Sequence, residues 1–177
     1  MKFIKYFSAL SLLLIILTSC KKNNDSPREE IPQGSISAKI DGSLIEFTGD
    51  AIKSSNSDGV YLGIKGYSVN GLRSAFIGLD ILAKTIGTGT YATVTNPEQS
   101  QIGSVVGYSP NFVAQTGYDS YTSAHADGNG NVTITAINDQ AVEGTFKGTL
   151  RLVDAKGDAT GKVMTVTDGK FKVKIKK

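Results

Sequence analysis

One histidine and one cysteine bound the chemistry open to this chain, because a zinc site built from these two residue types needs several of them. His125 lies in Ser123-Ala124-His125-Ala126-Asp127, where Asp127 is placed to orient it as a base and Ser123 as a nucleophile. Catalysis of that kind needs three groups held by a rigid frame, and adjacency along a loop does not supply one. The expectation is a solvated loop histidine. The same loop continues as Asp127-Gly128-Asn129-Gly130-Asn131. Asp127, Asn129 and Asn131 alternate as oxygen donors to calcium do, but Val132 and Asn138 stand where such a loop carries its glycine and its bidentate glutamate. An exposed hairpin loop is the favoured reading, with calcium as the weaker candidate. Asp80, Glu46, Asp119 and Glu143 are carboxylates on or beside predicted strands. A glycosidase needs two of them facing across a cleft, and spacing alone does not pair them. No catalytic residue is therefore assigned. The richest surface is Tyr108-Ser109-Pro110-Asn111-Phe112 through Tyr118-Asp119-Ser120-Tyr121. Tyr108, Phe112, Tyr118 and Tyr121, set among small polar groups, suit a sugar ring with an apolar face and hydroxyl edges. The competing reading makes Tyr108, Phe112 and Tyr121 ordinary core.

Cys20 ends the run Leu17-Thr18-Ser19-Cys20, after Lys2, Lys5 and an apolar stretch from Tyr6 to Leu17. A charged start, a short apolar run and small residues describe a secretory signal, and a membrane span needs about 20 apolar residues. With a cysteine after the small residues, the segment resembles the bacterial lipobox. That resemblance implies cleavage before Cys20 and acylation of its thiol and new amine. Residues 1–19 are then the signal peptide and Cys20 the lipid-bearing start of the mature chain. Several acyl chains hold firmly to a membrane, since each buried methylene contributes about 0.8 kcal/mol.

Removing residues 1–19 leaves 17 basic against 16 acidic residues, so the basic sequence pI of 8.9 gives no support to a nucleic-acid partner. With no second cysteine there is no disulfide, and stability must come from an apolar core. Residues 20–33 comprise Cys20 and the segment KKNNDSPREEIPQ, too polar to offset its ordering entropy and read as a flexible tether. Lys21 and Lys22 precede the first acid at Asp25, which leaves both the periplasmic and the outward membrane face open.

Residues 34–177 must frame whatever site exists, and they are enough for one domain. Apolar and polar residues alternate with period two, the signature of half-buried strands. Ala75, Ile77, Leu79 and Ile81 share one face, as do Phe146, Gly148, Leu150 and Leu152. Phe171, Val173 and Ile175 alternate with Lys170, Lys172, Lys174 and Lys176. Asp41-Gly42, Asp58-Gly59, Asn70-Gly71, Asp127-Gly128 and Asp168-Gly169 supply residues that tolerate the positive φ of tight hairpin turns. Strands are predicted near 35–40, 44–48, 51–55, 60–67, 73–82, 90–95, 104–109, 118–123, 131–137, 141–152, 162–167 and 169–175. So many strands must bury their apolar faces in an all-β antiparallel sandwich of about ten to twelve short strands, or in a partly open β-barrel.

Ala38-Lys39-Ile40-Asp41-Gly42, Gly87-Thr88-Gly89-Thr90-Tyr91, Gly144-Thr145-Phe146 and Thr167-Asp168-Gly169-Lys170-Phe171 follow the lipobox in that order. Across nearly the whole chain this resembles a group of Bacteroidota lipoproteins classed as a domain of unknown function. The resemblance implies the β-fold and an outer-membrane address, and carries no catalytic residue with it. The glycine-rich GTGTY lacks the lysine of a phosphate loop and opens no helix, so no cofactor is expected. The expected role is a non-enzymatic, lipid-anchored module of the envelope that binds a glycan, peptide or protein. The alternatives are a structural envelope component or a carboxylate-dependent hydrolase. Exposed aromatics on one sheet favour binding, and a cleft with paired acids favours hydrolysis.

Overall fold

Wherever apolar residues recur at every second position the chain runs as strand, since side chains of an extended backbone point alternately to the two faces of a sheet. The computed structural model describes residues 32–70, 73–94, 102–112, 119–125, 127–154 and 156–177, so Cys20, the expected signal peptide and most of the expected tether lie outside the described residues. Among the described residues ten strands follow in order. They are β1 (Ser35–Ile40), β2 (Ser43–Asn56), β3 (Gly59–Asn70), β4 (Arg73–Ala83) and β5 (Gly89–Ala92). After these come β6 (Gly103–Ser109), β7 (Ser120–Thr122), β8 (Asn129–Ile137), β9 (Ala141–Val153) and β10 (Ala159–Lys176). The fold is all-β and mostly antiparallel, as expected.

The strands share one continuous sheet ordered β1-β10-β2-β3-β4-β6-β7-β9-β8-β5. Two further pairings, β1 with β2 and β10 with β9, make the bonding ring-like. The circuit β2-β3-β4-β6-β7-β9-β10 returns to β2 through a short parallel contact, Ile175 opposite Ala51 and Lys176 opposite Ile52. One face of the curved sheet surrounds a single core. Ile77, Leu79 and Ile81 of β4, Leu150 of β9, and Phe171 and Val173 of β10 are fully buried there, on the faces their periodicity assigns.

The predicted turns have different outcomes, and Gly71 of the predicted Asn70-Gly71 turn lies outside the described residues. Asp41 (φ 46°) and Gly42 (φ 84°) close the β1–β2 hairpin between Ile40 and Ser43, as the mirror-image turn requires. At the next turn the two-residue loop is Ser57-Asp58, because Asn56 pairs with Gly59 and its Oδ1 accepts from the N–H groups of Asp58 and Gly59 (3.0 and 3.1 Å). Asp168-Gly169 makes no hairpin. The predicted strands 162–167 and 169–175 are one strand, β10, and Asp168 (φ 53°) forms a bulge inside it. Pairing with β9 skips from Val166–Gly148 to Gly169–Phe146, and pairing with β1 skips between Ser37 and Lys39. A bulge asks for the same positive φ as a turn, and partner strands on both sides carry the chain straight on. The Lys39 ammonium lies 2.9 Å from the Asp168 carboxylate and holds it below the usual aspartate range.

Likewise 44–48 and 51–55 are one strand, β2, which passes Gly49 without breaking. A Cβ there would sit 2.2 Å from the Lys65 carbonyl, so the glycine marks close strand approach rather than a turn. Asp127-Gly128 is a corner and not a hairpin, since β7 pairs with β6 and β9 while β8 pairs with β9 and β5.

Candidate ligand-binding face

Register across β2, β3, β4 and β6 decides which side chains face outward together. Tyr67 stands opposite Phe76, and Phe76 opposite Ser109. Gly63 stands opposite Asp80 and also opposite Ile52, so Tyr61, Gly63, Lys65 and Tyr67 of β3 share the outer face with Phe76, Gly78 and Asp80 of β4. Two aromatic stations lie on this face. At one, the rings of Tyr67, Phe76 and Phe112 form a triangle with centroids 5.1–5.8 Å apart and tilts of 30–59°. Such offset rings hold one another in place. Tyr67 is 43% exposed and is propped by the two half-buried phenylalanines. Ser109 is buried beside Phe76, and its Oγ has no hydrogen-bond partner among the described residues.

At the other station Tyr61 lies against Gly63. A Cβ on Gly63 would meet the Tyr61 Oη at 2.6 Å and ring carbons at 3.0 Å, so only glycine lets the ring settle there. The Tyr61 hydroxyl donates a short hydrogen bond to the Asp80 carboxylate. Burial, that hydrogen bond and the Asp80 charge together push the phenol far above its ordinary value. A folded-state pKa above the unfolded one adds stability that is complete below about pH 10 and lost as pH rises past it. In a spectroscopic titration of tyrosinate, one phenol fewer should therefore resist ionisation in Tyr61→Phe than in the native chain. An unchanged titration would count against the contact. Ile52, 48% exposed, flanks this station from β2.

The residues singled out in the sequence are distributed differently from their order in the chain. Phe112 joins Tyr67 and Phe76 on the outer face. Tyr108 and Tyr121 are cross-strand partners that face the core, 5% and 8% exposed. They therefore pack as the core reading has it, with Tyr108 edge-on to Phe47 at 6.4 Å. Burial, followed by the nearby Asp41 and Tyr121, raises the Tyr108 phenol. Tyr108 also lines an open pocket of about 730 Å³ with Leu44, Ile45, Glu46, Ser68, Ala75 and Pro110. Tyr118 lies outside the described residues.

The loop candidates are occupied by structural bonds. Ser123 is fully buried, and its Oγ accepts from the Val106 N–H (2.8 Å) and the Thr93 hydroxyl (3.3 Å), which ties β6 and β7 to the end of β5. A hydroxyl so engaged is no nucleophile. His125 is half-buried and its carbonyl accepts from the Gly128 N–H at 2.8 Å. Asp127 turns to Arg151 (3.5 Å), and a guanidinium at that distance opposes a cation. Asn129 and Asn131 sit two residues apart on extended β8, with Cα atoms roughly 7 Å apart. Among the described residues no three His, Cys, Asp or Glu side chains form a group able to hold a metal.

The carboxylates are dispersed in the same way. Asp80 of β4 holds Tyr61, whereas Glu143 of β9 lies 3.8 Å from Lys172, with β6 and β7 between the two strands. Glu46 borders the open pocket and Asp119 is exposed. The outer-face tyrosines escaped the sequence reading because neither stands in an aromatic-rich stretch. Their signal is phase: Tyr61 and Tyr67 occupy the polar register of β3, where Leu62, Ile64 and Gly66 take the buried one. No protein-family model, no curated protein and no solved structure matches the chain.

Proposed function

We propose that the chain is a non-catalytic binding module of the cell envelope, held to the outer membrane by lipid on Cys20, which captures its partner on the outer face of β3 and β4. The observation that carries this reading is the pair of exposed tyrosines, each fixed in place before any ligand arrives. Tyr67 is braced by two phenylalanines and Tyr61 by Gly63 and Asp80. Side chains already ordered lose little rotamer freedom on binding, so their contact area is converted to affinity with less loss. Separate carboxylates, each engaged by a neighbouring side chain in the cases of Asp80 and Glu143, support binding over hydrolysis.

The test takes the full chain in its own envelope. Cys20→Ala should abolish lipid labelling and move the protein from the membrane to the soluble fraction. Tyr67→Ala should leave labelling and membrane retention intact while lowering partner capture about tenfold. Unchanged membrane retention in the first variant overturns the anchor. Undiminished capture in the second overturns the binding face.

A further inference from the structure

We infer that the partner of this face is a neutral oligosaccharide lying along β3, stacked on Tyr61 and Tyr67 and hydrogen-bonded through its hydroxyls to Asp80. The inference rests on the binding-module reading and adds the chemical class of the ligand. Four properties of the face select that class.

The first is flatness. Gly63 and Gly78 replace side chains at neighbouring outward positions, and Tyr61 and Phe76 lie down over them. A Cβ on Gly78 would meet Phe76 ring carbons at 3.1 and 3.2 Å. A flat floor offers no sockets for the alternate side chains of an extended peptide. Sugar rings, which present a broad apolar face to an aromatic one, need none.

The second is the absence of a free edge. β3 is paired on one side with β2 along Thr48–Asn56 and on the other with β4 along Arg73–Ala83. β4 is in turn paired with β6. Strand addition, the common route to peptide binding on a sheet, is closed at this site.

The third is charge. Asp80 stands beside the Tyr61 ring and Lys65 lies between the stations, so the two offset each other and the face favours neither an anion nor a cation. A carboxylate accepts several hydrogen bonds, so one that already holds the Tyr61 hydroxyl can still accept from a sugar hydroxyl. Asp50 is paired with Lys176 at the adjoining strand, which leaves Lys65 as the cation between the two stations. The polar groups between the rings are thus donors and acceptors of both kinds, as a hydroxyl-rich chain requires.

The fourth is length. Tyr61 and Tyr67 are six residues apart on one strand, so their Cα atoms are roughly 20 Å apart. One small molecule does not span that distance; an oligosaccharide does.

The experiment is calorimetric titration of the full chain in detergent with neutral oligosaccharides of glucose, mannose, galactose and N-acetylglucosamine. A sulfated polysaccharide and a proline-rich peptide serve as contrasting probes. Saturable binding to at least one neutral sugar is expected, weakened about tenfold by Tyr67→Ala through loss of a stacking ring. Asp80→Asn should weaken it severalfold, and Tyr61→Phe about threefold, since that variant keeps the ring and loses the hydroxyl. Each variant loses a contact of the fold, so titration well below its own thermal midpoint separates lost binding from lost folding. No binding to any neutral sugar, binding only to the sulfated probe or the peptide, or binding that ignores all three substitutions overturns the inference. If envelope capture is still lost in Tyr67→Ala while no sugar binds, the binding-module reading stands and only the ligand class falls.

Discussion

Truncation of Phe171 to alanine is expected to lower the unfolding free energy by about 3–5 kcal/mol, the largest effect of any single side-chain deletion proposed for this protein. Phe171 is fully buried on β10, opposite Ile36 of β1 and Gly144 of β9. Its ring lies so close over Gly144 that a Cβ there would stand 2.6 Å from its Cζ, and its centroid is 6.3 Å from that of Phe146. It therefore fills the space where three strands join. The strands carry the surrounding backbone in a hydrogen-bonded circuit, which hinders their collapse into the void and places the loss toward the upper part of the range. A typical domain has only about 5–15 kcal/mol to lose, so urea unfolding should show a large fall in midpoint. Phe171→Leu, which keeps much of the volume, should cost far less. A loss below about 1 kcal/mol for Phe171→Ala would show that the junction repacks.

Adding one carbon at Gly144 should do comparable harm from the opposite direction. An alanine Cβ would lie 2.1 Å from the Thr133 carbonyl oxygen of β8, besides its clash with the Phe171 ring. The ring could retreat, but the carbonyl belongs to the β8–β9 ladder and moves only if the ladder opens. Overpacking usually costs about 1–3 kcal/mol, and a clash with backbone belongs at or above the top of that range. Gly161→Ala is the control, with nothing within 4 Å of its added carbon, and should be neutral or slightly stabilising. The double variant of Gly144→Ala with Phe171→Ala gives a sharper reading. Removing the ring relieves one of the two clashes and leaves the other, so the combined loss should be less than the sum of the single losses. Strict additivity would mean that ring and glycine do not share the space.

The same junction shows what local residue types do and do not encode. Alternation placed Phe171 and Val173 inward, because in an extended chain the phase of apolar residues alone chooses the buried face. Tyr61 and Tyr67, which the sequence reading passed over, occupy the opposite phase of β3 from buried Leu62 and Ile64. What alternation lacks is the identity of neighbours. That Phe112 would meet Tyr67 and Phe76, while Tyr108 four residues earlier turned inward, depends on the register of β4 against β3 and β6. Asp168-Gly169 makes the point for backbone. Its residues permit a positive φ, and the choice between hairpin and bulge falls to β1 and β9, which flank both halves of β10.

The amino-acid sequence by itself determined that the domain is all-β, which faces of β4, β9 and β10 are buried, and the positive φ at Asp41-Gly42, Gly59 and Asp168. These follow from properties of single residues and their spacing. It also carries the grounds for expecting lipid at Cys20, a reading that rests on sequence alone. Only the tertiary structure decided the ring-like bonding through β10 and β2, the merging of predicted strands into longer ones, and the meeting of Tyr61 with Asp80 across β3 and β4. Those depend on pairings between segments far apart in the chain. A strand's own residues state which way its side chains point, and its partners decide what they touch.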